Sequence, residues 1–168
     1  ASEPWFKAAI NGDIKPATAM VEDLHIDEDV AKIYKSAGRV MNFTSPIRSV
    51  DSGKILGVWT NRMSWDDVVE QITKEQVASV KNEATPYVLP HIVSKSGIYL
   101  LHPEGDAFVL KQKQVGFEEK LAEAGTGVYV GSADSESSIY HGPVYEAAAV
   151  SKGYSTYPSM GWMATVQV

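Results

Sequence analysis

The stretch "MNFTSPIRSVDSGKILGVWTNRMSW", residues 41–65, decides how the chain folds. Two apolar runs flank the turn-forming Ser49-Val50-Asp51-Ser52-Gly53, and the second run ends on the polar Thr60-Asn61-Arg62. This is the pattern of a β-hairpin with strands near 39–48 and 54–63. A helix follows at once: Ser64 is placed to cap it, and Asp66 and Asp67 fall in its first turn, where carboxylates meet the positive end of the helix dipole. Side chains alternate along a strand. Leu56, Val58, Thr60 and Arg62 therefore share one face, and Ile55, Gly57, Trp59, Asn61 and Met63 the other. In the partner strand Asn42, Thr44, Pro46 and Arg48 share a face. Neither strand sorts into a polar and an apolar side. A sheet with a helix on one face and a pocket on the other produces such a mixture. Arg62, at the strand end, is placed to project its forked donor into that pocket; the plainer alternative is a solvated strand-end charge.

Upstream, "EPWFKAAING" opens with Pro4 at a helix start and stops at Asn11-Gly12. "DIKPATAMVEDLHI" reads as a loop and a short strand, and "DEDVAKIYKSAG" as a short helix or turn with acidic residues first and Gly last. Downstream, Val68, Val69, Ile72 and Val80 recur at roughly helical spacing until "TPYVLP" ends the helix. The second half repeats the style. "SGIYLLHPEGDAFVL" reads as a hairpin over 98–110, "GFEEKLAEAGTG" as a short helix, and "SSIYHGPVYEAAAVSKGYSTYPSMGWMATVQV" as two or three strands. The fold class expected is α+β: two small antiparallel sheets joined by the helix starting near Ser64, in units 1–83 and 84–168, with no internal sequence repeat.

The 168 residues are 44% hydrophobic, enough for a sizeable core, and carry a net charge of −6 without a Lys/Arg run, so no nucleic-acid partner is expected. With no cysteine, disulfides and thiolate metal sites are excluded. No apolar stretch approaches a membrane span, and no signal peptide is visible. The start at "ASEPWF" and the stop at "MATVQV" suggest a domain cut from a longer chain, with membrane anchors outside it.

Chemistry-bearing constellations are sparse. His25, His91, His102 and His141 are scattered without metal spacing and read as exposed or turn histidines. There is no Gly-x-Ser-x-Gly elbow and no phosphate-cradling Gly loop. Asp66 and Asp67 are adjacent on a helix, so their side chains diverge. No catalytic residue, metal ligand or cofactor is assigned, and an enzyme is not expected. The aromatics say more. Trp5 and Phe6 are neighbours on the first short helix, about 100° apart around its axis, so one can face the core while the other lines a cavity. Trp59 and Trp65 flank the end of the second hairpin strand. Large residues usually fill cores; the functional reading is an aromatic-walled small-molecule pocket.

"WFKAAINGD", "VMNFTSPIRSVDSGKILGVWTNRMSW", "GIYLLHPEGDAFVL" and "GYSTYPSMGWMATVQV", in that order, resemble the double Cache sensor domains of bacterial chemotaxis receptors and sensor histidine kinases. The resemblance covers nearly the whole chain. It implies two PAS-like lobes carried on a long N-terminal helix that this sequence lacks, along with the strand pair before the Trp-Phe helix. It also implies a periplasmic or extracellular location, membrane anchoring and a homodimer in the full receptor. In family members that bind amino acids, an Arg two residues before the Trp holds the ligand carboxylate, and an Asp at the end of the Gly-Val strand holds the amine. Here Glu3 and Arg62 occupy those positions, so both signs are reversed. The expectation is a small carboxylate or other anion bound in the first lobe by Trp5, Phe6, Asn42, Thr44, Thr60 and Arg62, with Glu3, water or a buffer anion against Arg62 when no ligand is bound; the plainer alternative is that Glu3 and Arg62 pair with each other and the pocket reads neither charge. The alternative class is a structural or dimerisation module with no small ligand.

Overall fold

The computed structural model describes residues 3–125, 128–135, 139–153 and 159–168. It divides into two compact units, Ala1–Val69 and Glu70–Val168. This division falls earlier than the 83/84 position suggested by sequence, because the helix after the first hairpin makes its contacts with a strand of the second sheet.

In the first unit, α1 (Pro4–Asn11) has Pro at its first turn and ends at Gly12, whose φ of 82° closes the helix with N–H bonds to the Ala8 and Ala9 carbonyls. β1 (Met20–Ile26) leads into α2 (Glu28–Tyr34), and β2 (Arg39–Arg48) and β3 (Ile55–Ser64) form the long hairpin. The sheet order is β1-β2-β3, antiparallel throughout. The register pairs Val40 with Ser64, Asn42 with Arg62 and Thr44 with Thr60, so these six share one face. The hairpin occupies the expected residues. Its turn is closed by Gly53 N–H to Ser49 O at 2.9 Å and Ser49 N–H to Lys54 O at 2.8 Å.

α2 is seated by Asp27, whose Oδ1 accepts the Val30 N–H at 3.0 Å as an N-cap. Gly38 returns the chain beneath it at φ +70°, where an added Cβ would lie 2.6 Å from Asp27 O and 2.7 Å from Ala31 Cβ. Gly38→Ala is therefore expected to lose about 2–3 kcal/mol, from left-handed backbone strain plus overpacking. Urea denaturation reads this directly, and an unchanged midpoint would mean that α2 moves aside freely.

The chain leaves the first unit through a single π-helical stretch, Asp66–Glu70, and α3 (Gln71–Val80). Ser64 Oγ accepts the Asp67 N–H at 3.4 Å, a long version of the expected cap. The second unit carries β4 (Leu89–Val93), β5 (Tyr99–Leu101), α4 (Phe117–Ala124), β6 (Val128–Asp134), β7 (Pro143–Val150) and β8 (Met163–Gln167). Its five-stranded antiparallel sheet has the order β5-β4-β8-β7-β6, with the last strand central.

The expected hairpin over 98–110 is corrected. β5 pairs backwards with β4 across the Ser94–Ile98 turn, in which Gly97 takes φ +83°. Beyond Leu101, Pro103 and Gly105 coil the chain into a 3₁₀ turn at Gly105–Ala107, and the returning segment meets Tyr99 through Leu110 N–H (2.8 Å) and Gln112 O (3.0 Å), with an isolated bridge between Ile98 and Lys113. β6, which sequence reading left unassigned, pairs along its whole length with β7. Of the closing motif, residues 154–158 lie outside the described residues; β8 accounts for the remainder. The core of this unit is built from Val93, Tyr99, Phe117, Ala124, Ala148 and Met163. With two antiparallel sheets and four α-helices among the described residues, the protein is α+β.

Candidate functional site

Within the first unit a cavity of about 640 Å³ opens between α2 and the face of the hairpin that carries Val40, Thr60, Arg62 and Ser64. This is the size of a small-molecule pocket. Val30, Ile33 and Tyr34 of α2 supply an apolar and aromatic wall, and Asp29, Asp66 and Asp67 supply carboxylates. The mixed patterning of β3 thus has a cause: its Thr60, Arg62 and Ser64 face a polar cavity rather than a dry core.

Arg62 is tied down. Its Nε lies 2.8 Å from Asp27 Oδ2, while the other oxygen of Asp27 caps α2. One carboxylate therefore couples the cavity wall to the strand. The expected Glu3–Arg62 pairing is corrected: Asp27 holds the guanidinium, because the α2 cap brings that carboxylate beside the strand end. Arg39 Nε similarly pairs with Asp66 Oδ1 at 2.6 Å. Asp29 and Asp67 have no cationic partner among the described residues. Counting Asp27, Asp29, Asp66 and Asp67 against Arg39 and Arg62, the cavity and its rim hold two more acids than bases.

The other expected site residues are placed as follows. Thr60 lines the cavity, and its Oγ1 accepts from Thr44 Oγ1 at 3.0 Å. Asn42, the cross-strand neighbour of Arg62, is buried and donates from Nδ2 to Glu22 Oε2 at 3.0 Å; its Oδ1 has no hydrogen-bond partner among the described residues. Trp5 and Phe6 are half-buried on α1 and meet edge-to-face, with ring centroids 5.8 Å apart. They are not among the described residues that line the cavity, whose wall opposite Arg62 is α2. Trp65 is fully buried and Trp59 is 65% exposed. Asp27, Asp29 and Tyr34 were missed by sequence reading. The signal for them in the sequence is the acidic start of α2, which by itself marks only a helix boundary.

The second unit corrects the reading of the histidines. His91 on β4 and His102 after β5 are both buried, with rings 4.9 Å apart, and His102 stacks on Phe108 at 3.7 Å. Burial, with His102 and Lys120 nearby, lowers the pKa of His91 to about 3. Burial lowers that of His102 to about 4 against the opposing pull of Glu104. Both are neutral at pH 7. The nearest buried carboxylate on that sheet face, Glu146, is already committed to Lys120 (2.9 Å) and Gln167 (2.7 Å). Among the described residues no group of three or more His, Asp or Glu side chains is arranged to hold a metal ion.

No family model matches the chain, and no curated protein matches it. Solved structures do. The periplasmic sensory domain of the Campylobacter jejuni chemoreceptor Tlp1 superimposes with a TM-score of 0.60 at 14% identity, covering 100% of this chain and 55% of that one. The ligand-binding domain of the Pseudomonas aeruginosa PAO1 amino acid chemoreceptor PctC, in complex with GABA, gives 0.56 at 20% identity over 99% of this chain and 61% of that one. The ligand-binding domain of the Pseudomonas fluorescens chemoreceptor CtaA, in complex with L-isoleucine, gives 0.54 at 15% over 99% and 56%. The fold is therefore that of chemoreceptor ligand-binding domains, in agreement with the double Cache resemblance. The chain spans between 55% and 61% of the length of these three structures. No helix among the described residues is long and apolar enough to cross a membrane.

Proposed function

We propose that this chain is an extracytoplasmic small-molecule-sensing domain of a transmembrane signalling receptor, with the cavity between α2 and β3 as its ligand site. The observation that carries the reading is that cavity itself, of ligand size and lined by charged groups, within a fold shared with chemoreceptor sensor domains. It favours sensing over a structural or dimerisation module, for which a packed first unit would suffice. A ligand changes the signalling state only by binding two conformations with different affinity. α2 buries none of its residues fully and is tied to β3 through Asp27, so it is the wall best suited to respond.

The charge balance argues against a plain carboxylate ligand. Arg62 is paired with Asp27, while Asp29 and Asp67 line the cavity without a cationic partner among the described residues. A small ammonium-bearing metabolite satisfies these groups, with Tyr34 in the wall as a cation-π surface. The Nη groups of Arg62 remain available to a carboxylate on the same molecule. The solved neighbours bound to GABA and L-isoleucine are consistent with such zwitterions.

A thermal-shift screen across small amines, amino acids and plain carboxylic acids tests the reading. An ammonium-bearing compound is expected to raise Tm, and Asp29→Asn combined with Asp67→Asn to weaken it about tenfold, or ~1.4 kcal/mol. Hits confined to plain carboxylates, lost in Arg62→Ala but untouched by the double substitution, would overturn the ammonium assignment and restore an anionic ligand.

A further inference from the structure

The second unit contains a cavity of opposite character. About 400 Å³ in volume, it lies along α3 and is bounded on its far side by Pro90, Leu101, His102 and Pro103. Lys74, Val77, Ala78 and Lys81 line it from the helix side. Lys74, Val77 and Ala78, at i, i+3 and i+4, form one stripe along α3, and Lys81, its extended C-cap residue, follows at the end of the helix. This side of the lining is apolar in its middle and cationic at both ends. Lys74 is partly engaged by Glu70 at 3.6 Å. Lys81 has no ion-pair or hydrogen-bond partner for its ammonium among the described residues. With Glu70 counted, the lining retains one net positive charge, whereas the first unit's cavity and rim have an excess of acid.

We propose that this cavity is a second small-molecule site, for an amphipathic carboxylate: a short hydrocarbon body against Val77, Ala78 and Leu101, with its carboxylate on Lys81. Charge and shape agree on this class. An apolar amine would set its cation against two lysines, and a fully polar anion would leave the Val77, Pro90 and Leu101 surfaces unfilled. The volume is that of a small-ligand pocket. The site is independent of the ammonium site in the first unit and stands whichever ligand that site takes.

Octanoate is the probe, and octylammonium its charge-reversed control, each titrated calorimetrically into the whole chain. Octanoate is expected to bind wild type at millimolar concentration and octylammonium not to bind. Lys81→Gln should weaken octanoate about tenfold. Ala78→Trp, a substitution at an exposed helix position, should fill the cavity and abolish binding without loss of the folded circular-dichroism spectrum. Absence of octanoate binding to wild type would overturn the proposal. So would equal binding of octylammonium, or octanoate affinity unchanged in both substitutions.

Discussion

Replacing Lys120 with methionine is expected to lower the stability of the second unit by about 3–5 kcal/mol. Phe117, Lys120 and Ala124 form the buried stripe of α4, so a lysine occupies a position where helical spacing calls for an apolar residue. It meets Glu146 on β7, where burial alternates through Val144, Glu146 and Ala148. The Nζ–Oε1 distance is 2.9 Å, the Glu146 side chain is fully buried, and its second oxygen accepts from Gln167 Nε2 at 2.7 Å. Methionine matches the stem of lysine in length but strands the carboxylate, and an unpaired buried charge is far costlier than the intact pair is stabilising. The double substitution Lys120→Met with Glu146→Gln should recover most of the loss, because the amide of Gln is neutral and can still accept a hydrogen bond from Gln167. Urea denaturation at neutral pH measures both. A single-variant loss below about 1 kcal/mol would mean that water reaches Glu146 and that the pair behaves as a surface bridge.

Acid should unfold the second unit through His91 and His102. Their folded pKa values, about 3 and about 4, lie below the unfolded value of 6.5. The unfolded chain therefore binds protons that the folded chain refuses, and stability falls as pH drops below the unfolded value. Above it, both forms are neutral and the contribution is flat. Between those limits each histidine steepens the decline by up to about 1.4 kcal/mol per pH unit. For His91 alone this amounts to about 3 kcal/mol between neutrality and roughly pH 4. The cause for His91 is first its burial, then the neighbouring His102 ring and Lys120, each of which disfavours a second positive charge. His91→Gln should flatten the acid limb of a stability–pH curve measured by denaturant titration. An acid limb equally steep in His91→Gln and His102→Gln would assign acid sensitivity to the carboxylates instead.

The two effects share one cluster. Lys120 contributes to the depressed pKa of His91, so Lys120→Met should bring that pKa closer to its unfolded value and make the His91 part of the acid limb smaller. A histidine placed opposite Thr165 on the neighbouring strand of a packed sheet behaves as a neutral core residue. Its titration is a stability property and calls for no catalytic role.

What the sequence alone determined is whatever depends on near neighbours. The 41–63 hairpin follows from turn residues 49–53 and from period-two patterning, and β2 and β3 occupy those residues. Pro4 and Gly12 bound α1, and the acidic start after Asp27 marks α2, because caps and turns are bonds between residues a few positions apart. The two-sheet α+β class followed from the same local signals. The order of the strands did not: β8 lies between β4 and β7 through contacts that no short window of sequence contains. The 98–110 hairpin failed for the same reason, since Tyr99–Leu101 had two possible antiparallel partners and the Gly97 turn directed it to β4.

The candidate site divides along the same line. Arg62 and Thr60 were legible as polar residues on a strand that should be apolar. The partner of Arg62 was not legible, because Asp27 reaches it only once α2 has folded back over the hairpin face. That one contact determines whether the guanidinium stands at the cavity as a lone cation or as half of an ion pair. The meeting of His91 with His102 and of Lys120 with Glu146 is likewise a tertiary event. Charges and imidazoles carry no periodic signature. Their energies depend on distance and burial, which are set by the chain path and not by residue type.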